Sequence, residues 1–181
     1  MQKQRCCHIA VSAFLLFVAV MASAQTATWK QFSFSDDGFA ATYPAPPDLQ
    51  KKTVQTSAGE FEMRSYSAQS GDTALIVAVC DYGNAVAGKT SDQMLLGAKN
   101  STLSNSASRL VSEKKIPLGT NPGLQFEAEN SAAHFTVRMY VVGTTLYQML
   151  AVSPINKPFN DTARFLDSFQ LVSRTKQEPQ K

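Results

Sequence analysis

Residues 123–154, GLQFEAENSAAHFTVRMYVVGTTLYQMLAVSP, decide the fold of this chain, because apolar and polar residues alternate through most of the stretch. Successive side chains of a β-strand point to opposite faces, so alternation is typical of a sheet whose two faces differ. Residues 130–133 and the pair Gly143-Thr144 interrupt the alternation and suit hairpin loops, with glycine supplying a positive φ at the tighter one. The stretch therefore predicts two consecutive hairpins of an antiparallel sheet.

Further strands are predicted on the N-terminal side of these hairpins. Alternating or apolar segments bounded by turn residues occur at 29–34, 39–43, 50–54, 60–67, 73–81 and 110–116. Residues 73–81 are the most apolar of these, and we expect a central strand buried on both faces. Cys80 lies in this strand, which predicts a buried and unreactive thiol. The triplets Asp36-Asp37-Gly38 and Asn121-Pro122-Gly123 are predicted to form turns.

Two helices complete the predicted fold. The first has Ser91 as its N-cap and runs to about Ser104, and the second runs from Pro158 to Phe169, since proline suits a helix's first turn. These elements predict an α+β fold, a mainly antiparallel sheet flanked by helices, ideally one on each face. The predicted core residues are Phe39, Leu75, Val77, Val79, Phe126, Phe135, Val137, Met139, Leu150, Leu166 and Phe169.

The first residues of the chain have the pattern of an export signal. Lys3 and Arg5 precede an uncharged apolar run, Ile9 to Met21, which is short for a membrane-spanning helix, and Ala22-Ser23-Ala24 suits signal peptidase. We therefore expect residues 1–24 to be a cleaved signal peptide, 25–172 a single domain and 173–181 a flexible polar tail. Gln25, not cysteine, follows the predicted cleavage point, so no lipid anchor is expected. An uncleaved leader is the alternative.

Charge limits the class of partner. Removal of Lys3 and Arg5 reduces the 17 basic residues to 15, against 14 Asp and Glu, so the predicted mature chain is almost neutral. Binding to nucleic acid and to anionic membrane both require concentrated positive charge. We expect no nucleic acid partner and no stable membrane anchor after cleavage. The predicted location is the periplasm or the medium outside the cell, with the protein as a monomer.

Several local phrases in the sequence resemble the PsbP-like family. These phrases are residues 32–39 (FSFSDDGF), Tyr43-Pro44, residues 123–127 after a Pro-Gly turn, residues 138–143 (RMYVVG), Leu146-Tyr147 and residues 165–169 (FLDSF). The resemblance spans roughly residues 29–172. It implies the α/β/α sandwich of PsbP and Mog, which many bacterial exported proteins share. It implies no reaction, because the phrases mark turns and core positions and a fold alone does not give a function.

No group of residues in the sequence predicts catalysis, a metal site or a cofactor. His134 is the only histidine after the leader, and the hairpin would place it opposite Glu129 with Glu127 on the same face. A metal needs three or four converging ligands, so we interpret this group as solvated cross-strand neighbours. A Cys80–His134 dyad would need an exposed thiol, and the chain has no Gly-x-Ser-x-Gly motif.

The polar and aromatic face of the two hairpins is the predicted binding surface. Arg138, Tyr140 and Tyr147 share this face, and a two-residue turn at Gly143-Thr144 would set the two tyrosines opposite each other. Tyrosine and arginine are frequent anchors of binding interfaces. The alternative is that a helix covers this face and the three side chains only pack.

The sequence thus predicts a non-catalytic protein-interaction or ligand-binding module of the bacterial envelope. Its partner would be an envelope protein or a small ligand. A small extracytoplasmic hydrolase with an unrecognised site is the alternative function.

Overall fold

A computed structural model describes residues 28–56 and 59–175 of the chain. The predicted signal peptide, 1–24, and residues 176–181 of the predicted tail lie outside the described residues. The elements in chain order are β1 (Lys30–Phe34), β2 (Phe39–Tyr43), β3 (Asp48–Thr56), β4 (Gly59–Ser70), β5 (Thr73–Asp81), α1 (Ser91–Asn105), β6 (Arg109–Leu118), β7 (Asn121–Glu129), β8 (Ala133–Val142), β9 (Thr145–Pro154), α2 (Thr162–Asp167) and β10 (Gln170–Leu171). Among the described residues, no helix has both the length and the apolar character that crossing a bilayer requires.

Seven strands form one large antiparallel sheet in the order β3-β4-β5-β9-β8-β7-β6. The two hairpins predicted from residues 123–154 are present, with Glu129 paired to His134 and Val142 paired to Thr145. β5 lies between β4 and β9, as expected of the most apolar strand. A small sheet, β1-β2-β10, joins the two ends of the described chain. The predicted α+β class with a mainly antiparallel sheet is confirmed.

Each face of the large sheet carries a different layer. On the face covered by α1, here the α1 face, Met94 and Leu95 pack against Phe126, Val137 and neighbouring apolar residues. On the opposite face, here the α2 face, the small sheet and α2 bury a second cluster that includes Phe39, Val77, Met149, Phe165 and Phe169. The predicted placement of the two helices on opposite faces is therefore confirmed. Nine of the predicted core residues are buried, while Phe135 and Leu150 are only partly buried.

Three local expectations are corrected by the structure. The N-cap of α1 is Thr90 rather than Ser91, because Thr90 and Gln93 exchange side-chain to backbone hydrogen bonds in a capping box. α2 begins at Thr162, not at Pro158, since the backbone N–H and the hydroxyl of Thr162 both donate to the Phe159 carbonyl in a turn before the helix.

The third correction concerns Asn121-Pro122-Gly123, which belongs to strand β7 and not to a turn. The turn lies at Gly119, whose φ is +61°. Pro122 is paired with Pro117 on the edge strand β6, where prolines are tolerated because few ladder hydrogen bonds are lost. Gly123 is needed for packing, since a Cβ there would collide with the Tyr140 ring and lie 2.6 Å from the Met139 carbonyl oxygen.

We expect Leu166→Ala to lower the free energy of unfolding by about 2–5 kcal/mol, because Leu166 is only 3% exposed in the cluster beneath α2. Urea titration followed by circular dichroism measures this loss. Leu96→Ala is the matched control, because Leu96 is 52% exposed on α1 and its truncation should change stability by less than about 0.5 kcal/mol. Equal losses for both variants would contradict the assignment of Leu166 to the core.

Candidate ligand-binding groove

A groove of about 510 Å³ lies between α1 and the half of the large sheet that contains β3, β4 and β5. Its floor is made of alternate residues on the α1 face of β4, β5 and β9. Five of them are apolar, Met63, Ile76, Ala78, Cys80 and Leu150, and Ser65 and Gln148 are polar neighbours of Ala78. Met63, Ile76 and Leu150 remain partly exposed there. Ligand sites typically occupy 300–1,000 Å³ and are lined mainly by apolar side chains, so this groove has the size and the floor of such a site.

The groove exists because α1 covers only one side of the sheet. The helix packs on β7 and β8. Two ion pairs then hold it toward the β6 edge: Lys99 to Glu113 at 2.5 Å and Asp92 to Lys115 at 2.7 Å. Over β3, β4 and β5 the α1 face is consequently not covered by α1, and the connection between β5 and α1 contributes Tyr82, whose ring packs on Phe61 of β4.

The wall of the groove is the side of α1 that carries Gly97. A glycine in the interior of a helix costs about 1 kcal/mol relative to alanine. Gly97 has no compensating close contact, since a Cβ at this position would meet no atom within 4 Å. Gly97 therefore does not serve packing in this domain, and its missing side chain leaves the groove wider.

The charged groups at the groove are all positive. Lys52 on β3 and Lys89 in the connection before α1 are lining residues, and none of the described lining residues is acidic. Both lysines are exposed, and neither forms an ion pair with a described residue. Uncharged polar side chains, among them Gln93, Ser101 and Gln148, complete the lining.

Cys80 and Tyr82 occupy the end of the groove where β5 finishes. Cys80 is 4% exposed, and burial raises the pKa of its thiol above the ordinary value, although a hydrogen bond with Tyr82 opposes the shift. The prediction of a buried thiol is confirmed, and a thiol with a raised pKa is a poor nucleophile at neutral pH. The arrangement of this groove suits binding rather than covalent chemistry.

The three residues of the predicted binding surface lie on the α2 face, away from this groove. Tyr140 and Tyr147 are paired across β8 and β9 as expected, but they are 5% and 2% exposed, and the ring of Phe169 packs against both. Burial thus assigns the two tyrosines to packing, as the covered-face alternative expects. Arg138 keeps a side chain that is 19% exposed and pairs with Asp167 at 2.6 Å. Contact of Arg138 with a partner stays a prediction.

A second pocket, of about 490 Å³, lies on the α2 face and contains the histidine. Glu129, His134 and Ser153 are direct neighbours across β7, β8 and β9. Glu129 pairs with Arg109, and the His134 side chain makes no hydrogen bond to a described residue. The described His134 and Ser153 side chains are neighbours across the strands without a hydrogen bond between them. Within 28–56 and 59–175, no group of three or more His, Cys, Asp or Glu residues is placed to hold a metal ion.

Asp37 has a structural role that the sequence reasoning missed. The predicted turn at residues 36–38 is present, with Gly38 at φ +73°, but the Asp37 side chain points inward and is 2% exposed. Arg64 Nε donates to one carboxylate oxygen at 2.6 Å and the Tyr66 hydroxyl to the other at 2.5 Å. The Tyr147 hydroxyl donates to the Asp37 carbonyl at 2.8 Å. These bonds join the small sheet to β4 and β9 of the large sheet.

The start of the predicted tail is held at the same turn. The backbone N–H of Val172 donates to the Gly38 carbonyl and that of Thr175 to the Ser35 carbonyl. Arg174 donates to Thr145 Oγ1 at 2.9 Å and to the Tyr147 hydroxyl at 3.2 Å. Residues 173–175 are therefore bonded to the domain, whereas 176–181 lie outside the described residues.

The groove residues could have been found from the sequence only by asking which sheet face lacks a cover. Strand pairing places Met63, Ile76 and Leu150 on one face, but the sequence predicts two helices of similar length, 91–104 and 158–169, and does not show that part of a face stays uncovered. Gly97 in the first of these helices is a local signal, because it weakens the helix without an evident turn or packing role.

We expect the domain to lose stability as the pH rises above about 10, the ordinary pKa of tyrosine. Burial raises the pKa of Tyr43, Tyr66, Tyr82 and Tyr140, and the hydrogen bond to Asp37 adds to the shift of Tyr66. A tyrosine whose pKa is higher in the folded chain than in the unfolded chain stabilises the folded state while its hydroxyl is protonated. This contribution to the free energy of unfolding is complete below pH 10 and is lost as the pH rises above it. Alkaline titration should show tyrosinate absorption from these residues only together with loss of the near-ultraviolet dichroism. Ionisation of all of them in a still-folded protein would contradict their burial.

Comparison with known proteins identifies the fold. No protein-family model matches the chain, and no curated protein matches it. The solution structure of cyanobacterial PsbP (CyanoP) from Synechocystis sp. PCC 6803 is similar, with a TM-score of 0.54 and 12% sequence identity over 85% of this chain and 98% of that chain. Such low identity shows the fold alone. The resemblance expected from the sequence phrases is confirmed at that level, and this chain has the PsbP-like fold.

Proposed function

We propose that this chain is a non-catalytic ligand-binding domain that takes a small, largely apolar molecule into the groove between α1 and the sheet, and that it acts outside the cytoplasm of a bacterium. The observation that carries the proposal is the apolar floor formed by Met63, Ile76 and Leu150, left uncovered on the α1 face. Concave sites with apolar lining and a few polar groups are the usual form of a small-molecule site.

The shape of the site favours a small molecule over a folded envelope protein. The groove is concave and of ligand size, with the helix on one side and the sheet as its floor. Protein interfaces usually bury about 800 Å² on each partner and use large anchors such as tryptophan and tyrosine. Tyr82 is the only aromatic residue among the described lining residues, and its ring packs edge-on against Phe61.

Gly97→Leu should close the groove without unfolding the domain. The added side chain enters open space, since a Cβ at Gly97 meets no atom within 4 Å, and replacing a helix-interior glycine favours the helix. We expect binding of the neutral fluorescent probe N-phenylnaphthylamine to weaken by about tenfold or more, a change of about 1.4 kcal/mol. Fluorescence titration of the purified protein measures this change.

Two control variants isolate the effect of filling the groove. Gly97→Ala should raise the free energy of unfolding by about 0.5–1 kcal/mol and leave probe binding nearly unchanged. Asn100→Leu adds the same leucine to an exposed position of α1 that is not a lining residue. If the wild-type protein does not bind the probe, or if Gly97→Leu and Asn100→Leu bind it equally well, the proposed site is wrong.

Action outside the cytoplasm rests on the leader pattern of residues 1–24, with its basic start, apolar run and Ala22-Ser23-Ala24 site. The intact mass of the protein isolated from its native cells should correspond to a chain that begins at Gln25. A mass that includes Met1, or one increased by a diacylglycerol group, would contradict processing by signal peptidase.

A further inference from the structure

The charged residues that line the groove indicate which class of small molecule it binds, an inference that rests on the proposed function. Lys52 and Lys89 are the charged lining residues, and no described carboxylate lines the groove or pairs with either ammonium group. The lysine at position 51, one residue earlier on β3, faces the other way and pairs with Glu62 on the α2 face. Of the described lysines outside the groove, four pair with a carboxylate, namely Lys51, Lys99, Lys115 and Lys157, whereas neither lysine of the groove does.

Both lysines belong to the same end of the groove. Strand register places Lys52 opposite Met63, and Met63 opposite Cys80, so the three lie in one row across β3, β4 and β5. Lys89 lies two residues before α1. The ion pair of Asp92 with Lys115 holds the first turn of α1 at the row of the sheet that runs from Lys115 to Ala78, two residues from Cys80. Positive charge thus gathers where β5 finishes.

The lining away from the lysines is uncharged. Ile76 and Leu150 are paired across β5 and β9, and Gly97 and Ser101 of α1 line the same groove. Nearer the lysines, Met63 in the row of Lys52 and Met94 near the start of α1 continue the apolar lining, and methionine adapts to flexible apolar ligands because it is unbranched and polarisable. A chain of methylene groups fits such a lining better than a rigid planar ring system.

We infer that the groove binds a single-chain alkyl carboxylate, with the alkyl chain on the floor of β4, β5 and β9 and the carboxylate held between Lys52 and Lys89. The long lysine stems can cover the apolar chain while their ammonium groups stay in water. An anion with an apolar tail is the ligand whose charge and shape both complement this lining.

Three compounds with the same ten-carbon chain test the inference: decanoate, decanol and decyltrimethylammonium. Each competes with N-phenylnaphthylamine for the groove, at concentrations below those at which it forms micelles or separates from solution. For each lysine that its carboxylate contacts, decanoate should displace the probe at a concentration about threefold lower than decanol does. Decyltrimethylammonium should require the highest concentration of the three. High salt should remove the preference for decanoate and leave decanol unchanged, because salt screens exposed charge pairs.

The variant Lys52→Gln/Lys89→Gln should bind decanoate and decanol equally, with decanol binding unchanged from wild type. Lys51→Gln/Lys114→Gln is the matched control, since it removes the same charge from residues outside the lining and should keep the preference. If the wild-type protein binds decanoate no better than decanol, or if both double variants lose the preference equally, the inference on the ligand class is wrong. The proposed function would still stand in that case if the neutral probe binds and Gly97→Leu excludes it.

Discussion

The width of the large sheet is the constraint on which the rest of this structure depends. Seven strands spaced about 4.8 Å apart span roughly 29 Å, whereas a helix with its side chains is about 10 Å wide. One helix of 15 residues therefore cannot cover the α1 face. The small sheet and α2 share the opposite face, where most of the largest fully buried side chains of the domain lie. The groove is what remains of the α1 face once α1 is fixed to β6, β7 and β8.

The uncovered areas on the two faces differ in composition. On the α2 face, the area over β7 and β8 presents Gln125, Glu127 and His134, which is the polar surface expected where an antiparallel sheet meets water. On the α1 face, the corresponding area presents Met63, Ile76 and Leu150. The apolar side chains of the α1-face area lie beside polar ones such as Ser65 and Gln148, so this area is mixed in character rather than uniformly polar.

The sequence predicted the strands better than the surfaces. Alternation and Gly143 predicted both hairpins and the Tyr140–Tyr147 pair, because strand period and turn chemistry are local properties. Alternation does not say which face another element will cover, so it could not predict that Phe169 packs on the tyrosines. The inward turn of Asp37 was missed for a similar reason, since its partners Arg64 and Tyr66 lie 27 and 29 residues away. The groove combines side chains from four strands and one helix, and no local pattern identifies such a set.

The small sheet also determines when the domain can finish folding. β2 pairs with β1 on one side and with β10 on the other, so the second strand of the domain is completed by its last strand. Val172 and Thr175 then bond to the turn between β1 and β2. Such distant pairing carries a large loop-closure cost and slows folding. A chain that emerges from its N-terminus cannot complete this sheet until Leu171 has appeared, and the bond that holds the turn between β1 and β2 from Thr175 forms later still.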